Sequence, residues 1–229
     1  MNMRSIGILT VALAATLIVG CDRNNRNDTT RAGSGVGTTG RSDQVSRGDK
    51  AFVRDMAIAN MAEVELGKLV PERSTDTEVK KFAQMMITDH SQSLSSLKAI
   101  AMQHQVPVPA DLDGQHTRLR DKLAKWHGNE FDREYMDAMV DEHEDVLDAL
   151  ESRVDEKTLA EYTAEIDDRV AGRKTVEVGA TVAILPEKSD NPVTMRLNEW
   201  AAATYPIVRS HLDAARVLKV AVDKRRTAD

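Results

Sequence analysis

The sequence predicts an all-α protein in which four long helices form a bundle. Apolar residues recur at intervals of three and four along most of residues 49–224, which is the spacing of amphipathic helices. The composition agrees, because aromatic residues make up only 3% of the chain whereas methionine occurs 10 times. Alanine, leucine, methionine and glutamate are the residues that lose least on entering a helix. A helix with one apolar face needs helical neighbours, so these stripes predict a bundle with one additional short helix.

Start and stop signals divide the pattern into six helices. Pro71 ends the first helix, and a capping box formed by Thr75 and Glu78 opens the second. Gly128 stops the short third helix, and Asn191 caps the last long one. The predicted helices span about 50–70, 75–104, 111–127, 130–153, 156–171 and 192–224.

Residues 155–190 read as an insertion before the last long helix. Its second half has β character, because apolar residues alternate around Gly179. The alternating residues are Val176, Val178, Val182 and Ile184. A small β-hairpin would fit here, and it would need the helices for support because an isolated hairpin is marginal in water. Segment 172–190 is therefore a candidate surface for contact with a partner.

The N-terminus has the parts of a bacterial lipoprotein signal. A short segment with Arg4 precedes an apolar run, Ile6 to Val19, that is too short to cross a bilayer. Cys21, the only cysteine of the chain, ends the stretch "LIVGC". This stretch resembles a lipobox, in which the cysteine receives lipid and becomes the mature N-terminus. We therefore expect a signal peptide over residues 1–20 and lipidation at Cys21.

Residues 21–48 predict a disordered tether, because almost no apolar side chains follow the cysteine. A lipid anchors a protein to a membrane without crossing it, so the helical domain should be a periplasm-facing part of the cell envelope. The expected membrane is the inner one if Asp22 acts as a retention signal, and otherwise the outer one.

The charge of the chain excludes a nucleic-acid partner. The formal net charge is -6, and it falls by one more unit when the signal with Arg4 is removed. Nucleic-acid binding would need a basic face instead. The sequence also lacks a nucleophile elbow and a phosphate-binding loop, so we expect a protein that is not an enzyme.

An internal repeat relates the second and fourth predicted helices by a shift of 53 residues. Both copies read aromatic, x3, Met, x3, His, x3, Leu, x2, Leu. The matched pairs are Phe82 and Tyr135, Met86 and Met139, Ile87 and Val140, Asp89 and Glu142, His90 and His143, Leu94 and Leu147, and Leu97 and Leu150. The repeat predicts that His90 and His143 belong together.

One polar residue interrupts the apolar stripe of each long helix. These residues are Glu63, His90, His143 and His211. One carboxylate and three imidazoles that face a bundle interior could bind zinc, iron, manganese or copper. Met86 and Met139 lie one turn before two of the histidines, and with Met56 they would suit copper(I). The neighbouring acids Asp89 and Glu142 could orient the imidazoles.

The same residues also fit a core without metal, in which each histidine bonds a neighbour or a buried water. The Glu-x-x-His pattern of di-iron bundles is absent. The residues three before the histidines are Ile87, Val140 and Val208. Counted along the helices, Glu63 lies about 10 Å from the level of His90, and Met56 is level with it. Side chains of His90 and His143 more than about 8 Å apart could not share an ion.

Three segments resemble a bacterial family called domain of unknown function 4142. They read "AEVELGKLV", "VKKFAQMMITDHSQSLSSLKAIA" and "FDREYMDAMVDEHEDVLDAL". A Pro-x4-His match, Pro206 and His211, lies in a later segment, "YPIVRSHLDAA". The resemblance covers Asp49 to about Val154, and it implies a ferritin-like helical bundle in a secreted or envelope protein, with no established activity.

The middle block is also similar to a related family of small secreted proteins, to which copper binding is ascribed. The helices of that family carry Met-x3-His-His. This sequence has Asp89 and Glu142 in place of the first histidine of each pair.

We therefore expect a membrane-anchored periplasmic or cell-envelope lipoprotein with a ferritin-like bundle and a non-enzymatic role in binding or envelope stress. One alternative is a copper- or zinc-binding protein that uses His90, His143 and His211. A ferritin-like oxidase is a weaker alternative, because the Glu-x-x-His pattern is missing. The sequence names no protein partner, and a homo-oligomer is compatible with it.

Overall fold

The computed structural model describes residues 44–170 and 182–226, and this part of the chain is all-α, as predicted. Its helices are α1 (Arg47–Arg73), α2 (Thr77–Gln103), α3 (Gly114–Leu123), α4 (Gly128–Glu151), α5 (Glu156–Val170) and α6 (Pro192–Arg226). The signal peptide, Cys21 and the predicted tether up to residue 43 lie outside the described residues. Within the described ranges, no helix has the length and apolar character needed to cross a membrane.

The first helix does not end at Pro71, so that prediction is wrong. α1 continues to Arg73, and the Ser74 N–H bonds the Val70 carbonyl at 2.9 Å. Proline keeps a helical φ, and in the last turn its missing N–H removes a single backbone bond. Because α1 ends at Arg73, the level of each of its residues is counted from that end, and this changes the residues expected beside the histidines.

The predicted capping box of α2 is also wrong, because Asp76 rather than Thr75 is the N-cap. Its carboxylate accepts the backbone N–H groups of Glu78 and Val79 at 2.7 and 3.0 Å. A carboxylate placed there satisfies two free donors and adds negative charge at the positive end of the helix. The prediction for Asn191 is confirmed, since its Oδ1 accepts two N–H groups at the start of α6.

The short helix is shorter than predicted. α3 begins at Gly114 after the N-cap Asp113 and ends at Leu123. Gly128 does not stop this helix; it begins α4 with φ of +58°, a value that favours glycine.

The hairpin prediction falls partly outside the described residues, which exclude Val176, Val178 and Gly179. The described segment from 182 onward contains no strand, and its β contact is one antiparallel bridge between Val154 and Pro186. Val182 and Ile184 are partly buried against the core.

The four long helices pack around one interior. α1 lies against α2 and α4, and α6 lies against α4 and α2. α1 and α2 are tightly packed at Gly67, where a Cβ would lie 2.9 Å from the Ile87 side chain. At this point the sequence has the one residue that leaves room for the neighbouring helix.

α2 and α4 face each other across the interior and run in the same direction. The rings of Phe82 and Tyr135 are in edge contact, with centroids 6.5 Å apart. Eight residues further along both helices, His90 and His143 are also in contact. Two matched pairs of the sequence repeat, the aromatic residues and the histidines, therefore meet across the interior. Because the directions agree, the connection from 104 to 127, which contains α3, must return the chain along the length of the helices.

Candidate metal centre

Three histidines from three different helices meet in the interior. His90 of α2, His143 of α4 and His211 of α6 are 5%, 1% and 3% exposed. Their ring centroids lie 5.4 to 5.6 Å apart. Each imidazole can offer one nitrogen, and the three atoms lie within 4.8 Å of one another. The separation of His90 and His143 is therefore well inside the roughly 8 Å that a shared ion allows.

The first imidazole is oriented by Asn60 of α1. His90 Nδ1 lies 3.2 Å from Asn60 Oδ1. The amide group is itself fixed, because Asn60 Nδ2 donates to the Met56 carbonyl at 2.7 Å. The amide oxygen can only accept, so Nδ1 of His90 donates and Nε2 carries the lone pair.

The second imidazole is oriented from within its own helix. His143 Nδ1 donates to the Met139 carbonyl, four residues earlier, at 2.7 Å. Glu63 Oε1 of α1 lies 3.4 Å from the same nitrogen. The lone pair of His143 is therefore on Nε2, the ring atom that points away from both oxygens.

The third imidazole is oriented across two helices. His211 Nε2 donates to Asp89 Oδ2 at 2.9 Å, which leaves the lone pair on Nδ1. The sequence suggested that Asp89 and Glu142 could orient the imidazoles next to them. The structure brings each acid to a histidine of another helix instead, since Glu142 Oε2 bonds His116 Nε2 of α3 at 3.0 Å.

All three remaining nitrogens have no hydrogen-bond partner in residues 44–170 and 182–226. They are His90 Nε2, His143 Nε2 and His211 Nδ1. Each carries a lone pair, so none of them can donate to another. Buried polar atoms of this kind call for a bound ion or water. Proteins orient metal-binding histidines in this way: the ring nitrogen that does not bind the metal donates to a carboxylate, an amide or a carbonyl oxygen.

The interior keeps these imidazoles uncharged. Burial, followed by the charges of the other two histidines, lowers the pKa of His90 well below its usual range. Burial, followed by the charge of His211, lowers the pKa of His143 to about 4. Burial also lowers the pKa of His211, against the opposing effect of Asp89. Neutral imidazoles at neutral pH are the form that binds a metal.

Glu63 lies beside the site rather than in it. The carboxylate is 1% exposed, and burial, followed by the charge of Glu142, raises its pKa well above the usual range. Because Glu63 approaches Nδ1 of His143, its place is behind the ring, where a carboxylate strengthens a ligand. Tyr135 is also fully buried. Its burial, followed by the charge of Glu63, raises its pKa well above the usual range.

The expected 10 Å offset between Glu63 and the histidines is wrong, because α1 extends beyond Pro71. Glu63 lies ten residues before the end of α1, and His90 lies thirteen after the start of α2. Three residues correspond to about 4.5 Å. Asn60, one turn from Met56, is the residue level with His90. Its signal in the sequence is a polar residue on the buried side of α1, one turn before Glu63.

The two methionines of the repeat are fully buried, as their positions in the stripes predict. Met86 and Met139 pack in the core cluster that includes Leu66 and Tyr135. Met139 also supplies the carbonyl that orients His143. Ligation by either sulfur stays a prediction.

The three nitrogens fit a transition-metal ion after a small movement. An ion held at about 2.1 Å in tetrahedral geometry places its ligand atoms about 3.4 Å apart. The rings would therefore close by at most about 1.4 Å, which side-chain rotation can supply. Three imidazoles leave the fourth position to another ligand, as in the zinc sites that keep a water.

A family model for a domain of unknown function, DUF4142, matches residues 35–171. Searches of curated proteins and of solved structures returned no match to this chain. The matched range contains His90 and His143, whereas His211 and all of α6 lie beyond it. Because the match covers more than half of the chain, the protein belongs to the DUF4142 family.

Proposed function

We propose that this protein is a lipid-anchored envelope protein that reversibly binds one divalent transition-metal ion, zinc or copper, between His90, His143 and His211. The observation that carries the proposal is the convergence of three free ring nitrogens. The opposite nitrogen of every ring contacts an oxygen that accepts its proton. If the histidines served only to pack the core, the lone pairs of all three rings would not need to converge on one point.

A ferritin-like bundle is part of the proposal. α2 and α4 run in the same direction across the interior, and a long connection returns the chain between them. One long crossover is what distinguishes ferritin-like folds from simple up-and-down bundles. Metal sites of such bundles are built in the interior from inward-pointing side chains, as the three histidines are here.

Three imidazoles favour zinc or copper over the hard cations that prefer oxygen ligands. The carboxylate of Asp89 stands behind His211, where it compensates part of the charge of a divalent ion, and Glu63, whose burial favours its neutral form, stands behind His143. A ferritin-like oxidase remains disfavoured by the missing Glu-x-x-His, so the proposed role is binding rather than catalysis.

The test is metal loading of the full chain, purified in detergent. The protein is stripped with a chelator, offered zinc or copper, dialysed, and its bound metal is measured by mass spectrometry. We expect one ion per chain, and loss of that ion in His90→Ala, His143→Ala and His211→Ala. His104→Ala and His127→Ala serve as controls and should keep the ion. A stripped and reloaded wild type without bound zinc or copper would refute the proposal.

The anchor is tested separately through Cys21. The lipobox "LIVGC" and the apolar run before it support lipidation at this residue. Cys21→Ala should move the protein from the membrane fraction to the soluble fraction or leave it with an uncleaved signal. Equal membrane retention and equal incorporation of labelled fatty acid in both proteins would contradict the anchor.

A further inference from the structure

We propose that a cavity between α2 and α6 binds a small, uncharged and mainly apolar molecule, against the rings of His90 and His211. The cavity has a volume of about 490 Å³. Sites for small organic molecules have volumes of about 300 to 1,000 Å³. The inference goes beyond metal binding and stands on the walls of the cavity, whether or not the ion is present.

The sequence makes room for this cavity with small side chains. α2 places Ser93 and Ser96 on the lining, and α6 places Ala203 and Thr204 opposite them. Serine is a poorer helix former than alanine or leucine, and it fills less space than the apolar residues expected in a helix interface. The segment "SQSLSSL" therefore has a lower helix propensity and fills less volume than an apolar segment would. It leaves space next to two of the histidines.

The walls are mainly apolar, and polar groups of Trp200 and Thr204 on them bond neighbouring residues. Trp200 Nε1 donates to Ser96 Oγ at 3.0 Å, and Thr204 Oγ1 donates to the Trp200 carbonyl at 2.7 Å. These bonds fix the indole and leave its face, together with Ile207 and Val208, to line the cavity. A fixed aromatic face and aliphatic side chains favour a ligand with a flat apolar body.

The charges around the cavity disfavour an ionic ligand. The described residues that line it include no lysine or arginine, so an organic anion would find no countercharge. The one carboxylate, Asp89, already accepts the N–H of His211, and an organic cation would have to compete for it. An uncharged molecule meets neither cost.

One hydroxyl is free to orient the ligand. Ser93 lines the cavity, and its Oγ, which is buried in the wall, has no hydrogen-bond partner within the described part of the chain, so rotation about one side-chain bond would turn it toward a ligand. Such a group is satisfied when the ligand carries an acceptor, for example a carbonyl oxygen. The proposed ligand is therefore an apolar ring system with one acceptor atom.

The probe for this test is the neutral naphthalene ketone Prodan, whose emission moves to longer wavelength when its carbonyl accepts a hydrogen bond. The full chain with Trp126→Phe retains Trp200 as its one tryptophan, because the sequence has two. We expect saturable binding of one probe per chain and energy transfer from Trp200. Ser93→Ala should shift the emission of bound Prodan to shorter wavelength, and an unchanged spectrum would refute the role of Ser93.

Two variants locate the probe in the cavity. Thr204→Phe fills the space and should weaken binding at least tenfold, as should Ala203→Phe at the exposed rim. Ser210→Phe, at an exposed position of the same helix, is the matched control and should bind within twofold of the parent. Circular dichroism verifies that each variant is folded. Binding that is unsaturable, or that survives in a folded cavity-filling variant, would overturn the proposal.

A failure of the cavity and a failure of the metal site can be told apart. His143 binds the proposed ion and is not among the residues that line the cavity. His143→Ala should lose the ion and keep the probe. Thr204→Phe should lose the probe and keep the ion. Loss of Prodan binding in folded His143→Ala would refute the independence of the two sites.

Discussion

Acidification should destabilise the metal-free protein through His143. Its imidazole is 1% exposed, and burial, followed by the charge of His211, lowers the folded-state pKa to about 4. An exposed histidine in the unfolded chain has a pKa of about 6.5. Between these two values the unfolded chain binds a proton that the folded protein excludes. The stability is therefore fully present above pH 6.5 and is lost as the pH falls through 4.

The size of the effect follows from the difference between the two pKa values. One pKa unit corresponds to about 1.4 kcal/mol, so a lowering from about 6.5 to about 4 removes about 3 kcal/mol of unfolding free energy. The measurement is urea unfolding in the presence of a chelator at several values of pH between 7.5 and 4. His143→Gln should start less stable and lose less on acidification, so the gap between the variant and the wild type narrows. Parallel curves for the two proteins would refute the reasoning.

His116 provides a control of opposite sign. Its hydrogen bond to Glu142 and, against the cost of burial, its bond to Asp113 raise its pKa to about 9. The stabilising contribution of His116 is fully present below pH 6.5 and is lost as the pH rises through 9. His116→Gln should therefore be most destabilising in acid and nearly neutral in alkali. On acidification the gap for His116→Gln should widen between pH 9 and 6.5, and the gap for His143→Gln should narrow between pH 6.5 and 4; a general loss of packing would not give these opposite changes.

Three further substitutions test the site and the fold. Asp89→Asn should weaken metal binding by about 10- to 100-fold in a competition titration, and Asp141→Asn, at an exposed position, should not. Asp49→Ala removes the carboxylate that contacts Arg153 at 2.6 Å and should lower the unfolding free energy by about 3 to 5 kcal/mol. A loss below 1 kcal/mol would mean that water replaces the carboxylate. Gly67→Ala places a methyl group 2.9 Å from a side chain of α2 and should cost about 1 to 3 kcal/mol, whereas a more stable variant would contradict the tight approach.

The histidine pair could be predicted from sequence because periodicity and repetition are local properties. A histidine that falls on an apolar stripe must face the interior, whatever the neighbouring helices are. Two copies of one pattern place both histidines at the same height in their helices, and the structure brings His90 and His143 together. His211 was predicted on the same ground of stripe position and completes the group.

The partners of the imidazoles could not be predicted with the same rules. The rotation and the axial shift of one helix against another decide which oxygen a ring nitrogen reaches. The period of the apolar residues predicts neither the rotation nor the shift. Asp89 directly precedes His90 in the sequence, yet it bonds His211 of another helix. For this reason the apolar period does not predict the contact of Asn60, and counting from Pro71 instead of Arg73 places Glu63 too far from the histidines.

The missing Glu-x-x-His bears directly on the proposed reversible binding of an ion. A di-iron site buries several carboxylates, and without its ions those charges repel one another or take up protons. Here the three groups that face the centre are neutral imidazoles, and the carboxylates of Asp89 and Glu63 lie behind them. Under the proposed function, a centre without its ion has three unpaired lone pairs and no carboxylates that face one another across it, and the ion would satisfy those lone pairs. This difference from a di-iron site is what the proposed reversible binding requires.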